Sequence, residues 1–164
     1  MSTKTIAIRQ AKREDVALIK DFITQLAIYE KMLDEVVVTE QLLQEWLFEK
    51  QIAEVIFAEM DGKEVGFALF FHNYSTFVGR GGIYLEDLFV LPEYRGHGIG
   101  KLLLKELATI AVSRNCGRLE WCCLDWNKPS IDFYLSLGAK PLDDWTIYRL
   151  AGDTLAEFAK RQDG

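Results

Sequence analysis

The sequence has few of the residues that build disulfide frameworks, zinc sites or basic nucleic-acid surfaces. Its 164 residues include three cysteines, three prolines and two histidines, and its formal net charge is −6. An odd number of cysteines, with Cys122 and Cys123 adjacent, does not suit a disulfide framework and is typical of a reducing compartment. The acidic balance argues against nucleic acid as a partner and favours cationic small molecules. The histidines and cysteines show no zinc-ligand spacing, so we predict no metal site.

Long apolar runs are also missing. No stretch of about 18 apolar residues occurs, so the sequence predicts no membrane span. The first ten residues, MSTKTIAIRQ, lack the apolar segment of a signal peptide. With 49% hydrophobic residues, the chain has enough apolar material for one compact core. We therefore predict a single cytoplasmic domain over residues 1–164.

Hydrophobic periodicity and turn residues predict the order of the elements. Strands are expected at 6–10, 53–60, 64–71, 84–91, 118–124 and 145–150. Helices are expected at 13–31, 40–48 with Thr39 as N-cap, from 99 onward, 129–137 ending at Gly138, and 154–161 with Asp153 as cap. Asp61-Gly62 predicts a hairpin, and residues 73–82 are expected to form a glycine-containing loop. This order predicts an α/β fold, a mixed sheet with helices on both faces.

The segment from Arg95 to Lys101 carries the strongest functional signal. Gly96, Gly98 and Gly100 alternate between a predicted strand and a predicted helix. Glycines allow positive φ, and consecutive N–H groups at the start of a helix bind anions. Arg95 and Lys101 add two cations, so the loop fits a pyrophosphate. Its spacing matches neither GxGxxG nor GxxxxGK[ST].

This loop resembles the R/Q-x-x-G-x-G/A loop with which GNAT-superfamily acetyltransferases bind acetyl-CoA. The segments 84–87 (YLED), 124–127 (LDWN) and 133–134 (FY) are similar to the spermidine/spermine (diamine) and thialysine N-acetyltransferase branch. The resemblance implies the GNAT fold, whose central mixed sheet is mostly antiparallel and flanked by helices on both faces, and it implies a homodimer. It also implies acetyl-CoA as co-substrate, bound by Leu88, Phe89, Val90, Arg95, Gly96, His97, Gly98, Ile99, Gly100, Lys101, Asn127 and Ser130.

Acetyl transfer to an amine sets three chemical requirements. A primary amine with a pKa of about 10.4 must lose a proton, and the new oxyanion needs a hydrogen-bond donor. The departing thiolate must be protonated, and a phenol with a pKa of about 10 is a feasible donor. Glu86 interrupts an apolar strand and is the candidate base or the anchor of a water that serves as base. The resemblance implies Tyr134 as general acid, and an N–H near Val90 is the expected oxyanion donor.

The resemblance further implies an acceptor pocket for a small cationic amine. Its candidate residues are Tyr29, Glu30, Glu86, Glu120, Trp121 and Cys122, with Asp125 as a further carboxylate. Where polyamine enzymes carry Tyr-Asp-Pro-Trp, this chain has Tyr-Ser-Thr-Phe at 74–77, which is closer to the thialysine branch. A late acceptor-contacting glutamate of the family has only Asp143 or Asp144 as stand-ins. The acceptor stays open between a diamine or polyamine and a thialysine-like amino acid, for which Arg80 is a candidate carboxylate partner.

Two other kinds of function remain compatible with the sequence. The acceptor is a protein, a peptide or an aminoglycoside in one alternative, with the same acetyl transfer. In the other, the chain is a coenzyme-A-binding regulatory module without turnover. Glu86 and Tyr134 favour catalysis, because a module that only binds the coenzyme needs neither a base nor an acid.

Overall fold

The computed structural model describes residues 5–162, so the ends of the domain predicted over 1–164 lie outside the described residues. The described residues divide into two compact units, 5–124 and 125–162. The first unit contains β1 (Ile6–Gln10), α1 (Val16–Tyr29), α2 (Glu40–Leu43), β2 (Glu54–Met60), β3 (Lys63–Ser75), β4 (Arg80–Val90), α3 (Ile99–Ser113) and β5 (Leu119–Trp121). The second contains α4 (Lys128–Ser136) and α5 (Gly152–Lys160). Among residues 5–162, every helix falls short of the length and apolarity needed to cross a bilayer.

The five strands form one sheet in the order β1-β2-β3-β4-β5. The first three pairings are antiparallel, and only β4 and β5 run parallel. The sheet is therefore mixed and mostly antiparallel, which confirms the predicted α/β class.

Helices cover both faces of this sheet. The apolar stripe of α1 packs with α2 and one face of the sheet, through Ile19, Phe22, Leu26, Leu43, Val55, Phe57, Phe67 and Phe89. The opposite face receives α3, because a Cβ added to Gly66 would lie 3.2 Å from Ile99 and 3.3 Å from Leu103. The side chains of Ile99 and Leu103 are both buried. Alternation along β2 and β3 thus supplies an apolar surface to each layer of helices.

Two predicted helices agree with the structure, and one predicted strand is shorter than expected. The side-chain oxygen of Thr39 accepts a hydrogen bond from Leu42 N at 3.1 Å and caps α2, as predicted. The helix predicted at 13–31 begins with a 3₁₀ turn at Arg13–Asp15 and continues as α1. The helix predicted at 40–48 continues beyond α2 as a π-helical segment, Gln44–Glu49. The strand predicted at 118–124 is shorter, since only Leu119–Trp121 pairs with β4.

The loop predicted at 73–82 is wrong, because most of it belongs to the β3–β4 hairpin. His72 pairs with Ile83, Asn73 with Gly82, and the ladder continues to Ser75 opposite Arg80. The turn is confined to residues 76–79. A Cβ at Gly82 would lie 2.5 Å from the Asn73 side-chain oxygen, so glycine here allows a close approach and does not mark a loop.

The second unit corrects two further predictions. The segment predicted as a strand at 145–150 is irregular, and it has no strand partner among the described residues. Its alternating apolar side chains suit a strand, but a strand needs a ladder partner for its backbone groups. The C-terminal helix α5 begins at Gly152, so Asp153 lies inside its first turn and is not the N-cap.

Candidate active site

The central strand β4 is interrupted by a β-bulge at Glu86. Leu69 lies opposite Asp87 while the next residue, Phe70, lies opposite Leu85, so Glu86 is the extra residue. The bulge therefore interrupts, at Glu86 and Asp87, the regular alternation of side chains along a strand. The bulge also coincides with the end of the β4–β5 pairing, whose last pair is Leu85 with Trp121.

Beyond the bulge, one edge of β4 is open within the described residues. Leu91 N donates to Val65 O at 2.8 Å, so the polar groups of residue 91 point toward β3. The backbone groups of Val90 then point to the other edge, because consecutive residues of a strand alternate in direction. Consistently, Val90 O accepts a hydrogen bond from Arg95 Nε at 3.2 Å on that side. An N–H at Val90 is thus available for a ligand lying along β4.

The glycine loop joins β4 to α3 and exposes a series of backbone donors. Gly96 and Gly98 have φ of 86° and 78°, a region that favours glycine, and a Cβ at either would meet no atom within 4 Å. Leu102 N bonds to Gly98 O at 3.0 Å, which starts the helix ladder. The N–H groups of residues 96–101 have no protein acceptor among the described residues. His97 and Lys101 are exposed beside them.

Arg95 connects this loop to the end of α1. Its guanidinium carbon lies 5.0 Å from the ring centroid of Tyr29 and 5.3 Å from that of Phe89. The two rings are 6.4 Å apart. Cation–π contacts of this kind hold the guanidinium at the edge of the glycine loop. Tyr29, predicted to contact the acceptor, is therefore brought close to a residue predicted to contact the coenzyme.

Three carboxyl groups gather where α1 ends against the bulge of β4. Burial raises the pKa of Glu30, and the charge of Glu86 raises it further. Burial, followed by the charges of Glu86 and Glu30, raises the pKa of Asp87 to about 7. The structure therefore brings together Glu30 and Glu86, both predicted acceptor residues, and adds Asp87. Within the described residues no group of three His, Cys, Asp or Glu side chains is arranged to hold a metal ion.

A second part of the site lies where β4 pairs with β5. The Tyr84 hydroxyl and Cys122 Sγ are 2.9 Å apart, and Asn73 Nδ2 donates to Glu120 Oε1 at 3.3 Å. Burial, the contact with Cys122 and the charges of Glu86 and Glu120 all raise the pKa of the Tyr84 phenol. Tyr84 thus lies among three predicted acceptor residues, although sequence reasoning did not select it. The sequence feature that could have identified Tyr84 is a tyrosine hydroxyl two residues before Glu86 in an otherwise apolar strand.

Arg80 is separate from the carboxyl cluster. It lies six residues before Glu86 on β4, which is roughly 20 Å along a strand. Its guanidinium donates to Asn115 Oδ1 at 3.3 Å. It lines a depression with Arg118, Glu120 and Asn73 at the far end of the sheet. The structure therefore does not place Arg80 with Glu30, Glu86 and Asp87.

The remaining predicted residues belong to the second unit. Asn127 is the N-cap residue of α4 and is 7% exposed, and Ile131 N bonds to its carbonyl at 3.0 Å. Ser130 and Tyr134 follow at i+3 and i+7, so the three share one side of the helix. Tyr134 is partly buried, with its ring centroid 5.6 Å from that of Phe133. Asp125, Asp143 and Asp144 are exposed turn residues.

Comparison with known proteins gives a consistent result at three levels. The profile of the acetyltransferase (GNAT) family matches residues 22–139. Thialysine N-epsilon-acetyltransferase of Bos taurus is 38% identical over 166 residues, covering 94% of this chain and 97% of that protein. Spermidine/spermine N(1)-acetyltransferase-like protein 1 of Homo sapiens is 32% identical over 163 residues, covering 93% of this chain and 23% of that protein. An integron cassette protein from the mobile metagenome of V. cholerae superposes with a TM-score of 0.79 at 33% identity, covering 95% of this chain and 98% of that chain.

Proposed function

The chain belongs to the GNAT acetyltransferase family and is an acyl-CoA-dependent N-acetyltransferase, and from this premise we propose that it acetylates a primary amine of a small cationic acceptor. The acyl donor is acetyl-CoA, which the family uses. The acetyl group moves directly from sulfur to nitrogen, without a covalent intermediate on the protein. The resemblance stated on the glycine loop and the neighbouring motifs is confirmed at the level of the family.

The proposed coenzyme site combines the glycine loop with the open edge of β4. The backbone N–H groups of residues 96–101 have no protein acceptor among the described residues, and they suit the diphosphate of coenzyme A. Arg95 and Lys101 supply positive charge next to these donors. The backbone of Leu88, Phe89 and Val90 then lies beside the pantetheine arm. The family resemblance implies Asn127 and Ser130, at the start of α4, as further coenzyme-binding residues.

The proposed acceptor site is the acidic surface at the bulge of β4. Glu30 and Glu86 attract an ammonium group, and the ring of Tyr29 offers a cation–π contact. Glu120, Trp121 and Cys122 extend this surface along β5. The relatives' names, thialysine N-epsilon-acetyltransferase and spermidine/spermine N(1)-acetyltransferase-like protein, both describe amine acceptors. We infer a thialysine-like amino acid or a diamine or polyamine as substrate.

Each chemical step has a proposed residue. Glu86 is the base, or it anchors the water that removes the ammonium proton. The N–H of Val90, which points to the open edge of β4, stabilises the negative charge on the carbonyl oxygen. The Tyr134 hydroxyl protonates the departing thiolate, since a phenol of pKa about 10 can donate to a thiolate whose acid has a pKa of about 8.5. We also propose, from the family alone, one cytoplasmic GNAT domain that forms a homodimer.

The observation that carries this proposal is the row of N–H groups at residues 96–101, which have no protein acceptor among the described residues. The test is thiol release from acetyl-CoA with a panel of thialysine, lysine, diamines, polyamines, an aminoglycoside and a peptide amine. We expect turnover with a small cationic amine, and a fall of about 100-fold in kcat for Tyr134→Phe, the size of a lost general acid. Ser136→Ala, an exposed change on the same helix, is the control. Turnover only with the peptide or the aminoglycoside would reject the proposed acceptor, and coenzyme binding without any thiol release would reject catalysis.

A further inference from the structure

Asp87 occupies an unusual place in the first unit. It follows the bulge residue Glu86 and lies opposite Leu69 of β3. Its carboxyl group is partly buried, and it has no hydrogen bond or ion pair among the described residues. The charges that act on it come from Glu86 on its own strand and Glu30 at the end of α1, and both are negative. An ionised carboxylate in such a position destabilises the folded state, and residues kept at such a cost are typical of functional sites.

The proposed reaction supplies such a function. On the premise of the proposed function, with Glu86 as the anchor and not as the base itself, we propose that Asp87 takes up the proton released by the acceptor amine, while Glu86 binds the ammonium group or the water that carries the proton. The bulge supports these separate roles, because Glu86 has no partner in the β3–β4 ladder whereas Asp87 lies opposite Leu69. Glu86 is exposed and meets the acceptor, whereas Asp87 is more enclosed and close enough to feel its charge.

The proton balance of this step is simple. The ammonium group gives one proton to the Asp87 carboxylate, which leaves a neutral amine and a neutral carboxylic acid. The amine nitrogen then forms a bond to the acetyl carbon, and the carbon–sulfur bond breaks. Tyr134 protonates the departing thiolate. The nitrogen then loses its second proton, which restores the Tyr134 hydroxyl. Asp87 finally releases its proton to solvent, so one proton leaves the protein for each acetyl group transferred.

The acidity of Asp87 suits this role. Its pKa of about 7, against an ordinary 3.8, makes the uptake of a proton from an amine about 1,000-fold less unfavourable. Near neutral pH the group is ionised in a substantial fraction of molecules, so it is able to accept the proton, and it releases the proton again readily. An ordinary carboxyl group would hold the proton too weakly.

The test is the pH profile of kcat for Asp87→Asn and for the wild type. We expect the wild-type kcat to fall below pH about 7, because Asp87 must be ionised to accept a proton. In Asp87→Asn this acidic limb of the pH profile should be absent, and kcat at pH 7.5 should be about 100-fold lower than in the wild type. Glu86→Gln should move the limb to lower pH, because it removes a charge that raises the Asp87 pKa. Asp87→Glu should restore part of the rate, and Asp21→Asn, the same chemical change on the exposed side of α1, should leave it unchanged.

Two further measurements separate this inference from the proposed function. Carbon-13 NMR of the carboxyl groups should show one resonance that titrates near pH 7 and is absent from Asp87→Asn. Calorimetric titration should show equal affinity of the wild type and Asp87→Asn for acetyl-CoA. An Asp87→Asn enzyme with the wild-type kcat and pH limb, or a wild type without that titration, would overturn the role of Asp87 and leave acetyl transfer intact. A wild type that releases no thiol with any amine would instead overturn the proposed function.

Discussion

At the scale of single residues, the proposed chemistry depends on three acidic side chains, Glu30, Glu86 and Asp87. Their mutual repulsion and partial burial raise the pKa values of Glu30 and Asp87. Like charges held together are unfavourable for the folded state, and such clusters are typical of functional sites. A bound ammonium group would relieve the repulsion, so the same arrangement favours a cationic ligand.

Only part of this cluster was predictable from the sequence. Glu86 was recognisable because it interrupts an apolar strand, and Glu30 because the resemblance to the diamine enzymes implies it. Asp87 and Tyr84 were not selected, since their surroundings depend on the bulge opposite Leu69 and on the pairing with β5. Register and bulges arise from contacts between strands. The alternation of residues within one strand therefore does not predict them.

The raised pKa of Asp87 predicts how stability depends on pH. A carboxyl group whose pKa is about 7 when folded and about 3.8 when unfolded binds more protons in the folded state between these values. Folding stability then falls as pH rises through this window and levels off above pH about 7. Between pH 5 and pH 8 the wild type should lose about 2.5 kcal/mol from this one group.

Urea unfolding of the wild type and Asp87→Asn at pH 5 and pH 8 measures this loss. Asp87→Asn has no carboxyl group that can lose a proton, so its free energy of unfolding should not show this fall. The variant should therefore exceed the wild type in stability by more at pH 8 than at pH 5. Asp21→Asn, an exposed carboxyl on α1, controls for the general effect of removing a charge. An equal pH dependence in Asp87→Asn and the wild type would show that Asp87 has an ordinary pKa.

At the scale of elements, the close contact between the sheet and α3 positions the glycine loop. Gly66 of β3 leaves room for Ile99 and Leu103, the buried residues at the start of α3. Because α3 begins directly after Gly98, its position fixes where the loop donors point. The glycine loop and the helix after it were both predicted, since their signals are local in sequence.

Gly66→Ala tests this packing. Its new Cβ would lie 3.2 Å from both Ile99 and the Phe89 carbonyl oxygen, which is closer than ordinary contact. We expect a loss of about 1–3 kcal/mol in the free energy of unfolding, the size usual for overpacking. Gly81→Ala is the matched control, because its Cβ would meet only the Asn73 carbonyl oxygen at 3.6 Å. Equal stability of the two variants in urea unfolding would show that α3 yields easily at this contact.

Two elements were predicted wrongly for reasons that belong to this scale. Gly81 and Gly82 were interpreted as loop residues, but they lie in the β3–β4 ladder, where Gly82 accommodates the Asn73 side chain. The segment 145–150 has a strand pattern but lacks a strand partner among the described residues. In both cases pairing, and not local propensity, decided the outcome.

At the scale of the whole molecule, the net charge of −6 and the acidic cluster both favour the cationic acceptor that we propose. A negative protein attracts small cations over a distance, and the carboxyl groups at the bulge of β4 hold them locally. The glycine loop is the contrasting region, where Arg95, Lys101 and N–H groups that lack an acceptor within residues 5–162 suit an anion. This separation of the two charges matches a reaction between a diphosphate-bearing coenzyme and an ammonium-bearing acceptor.

The most direct test of the central claim is calorimetric titration with acetyl-CoA and with acetyl-pantetheine, which carries the same thioester without the diphosphate. If the N–H groups of residues 96–101 bind the diphosphate, acetyl-CoA should bind at least about 100-fold more tightly, since several charge-assisted hydrogen bonds are lost without it. Gly98→Val, which places a branched side chain at φ of 78°, should remove most of this difference. Equal affinity of the wild type for the two thioesters would contradict the assignment.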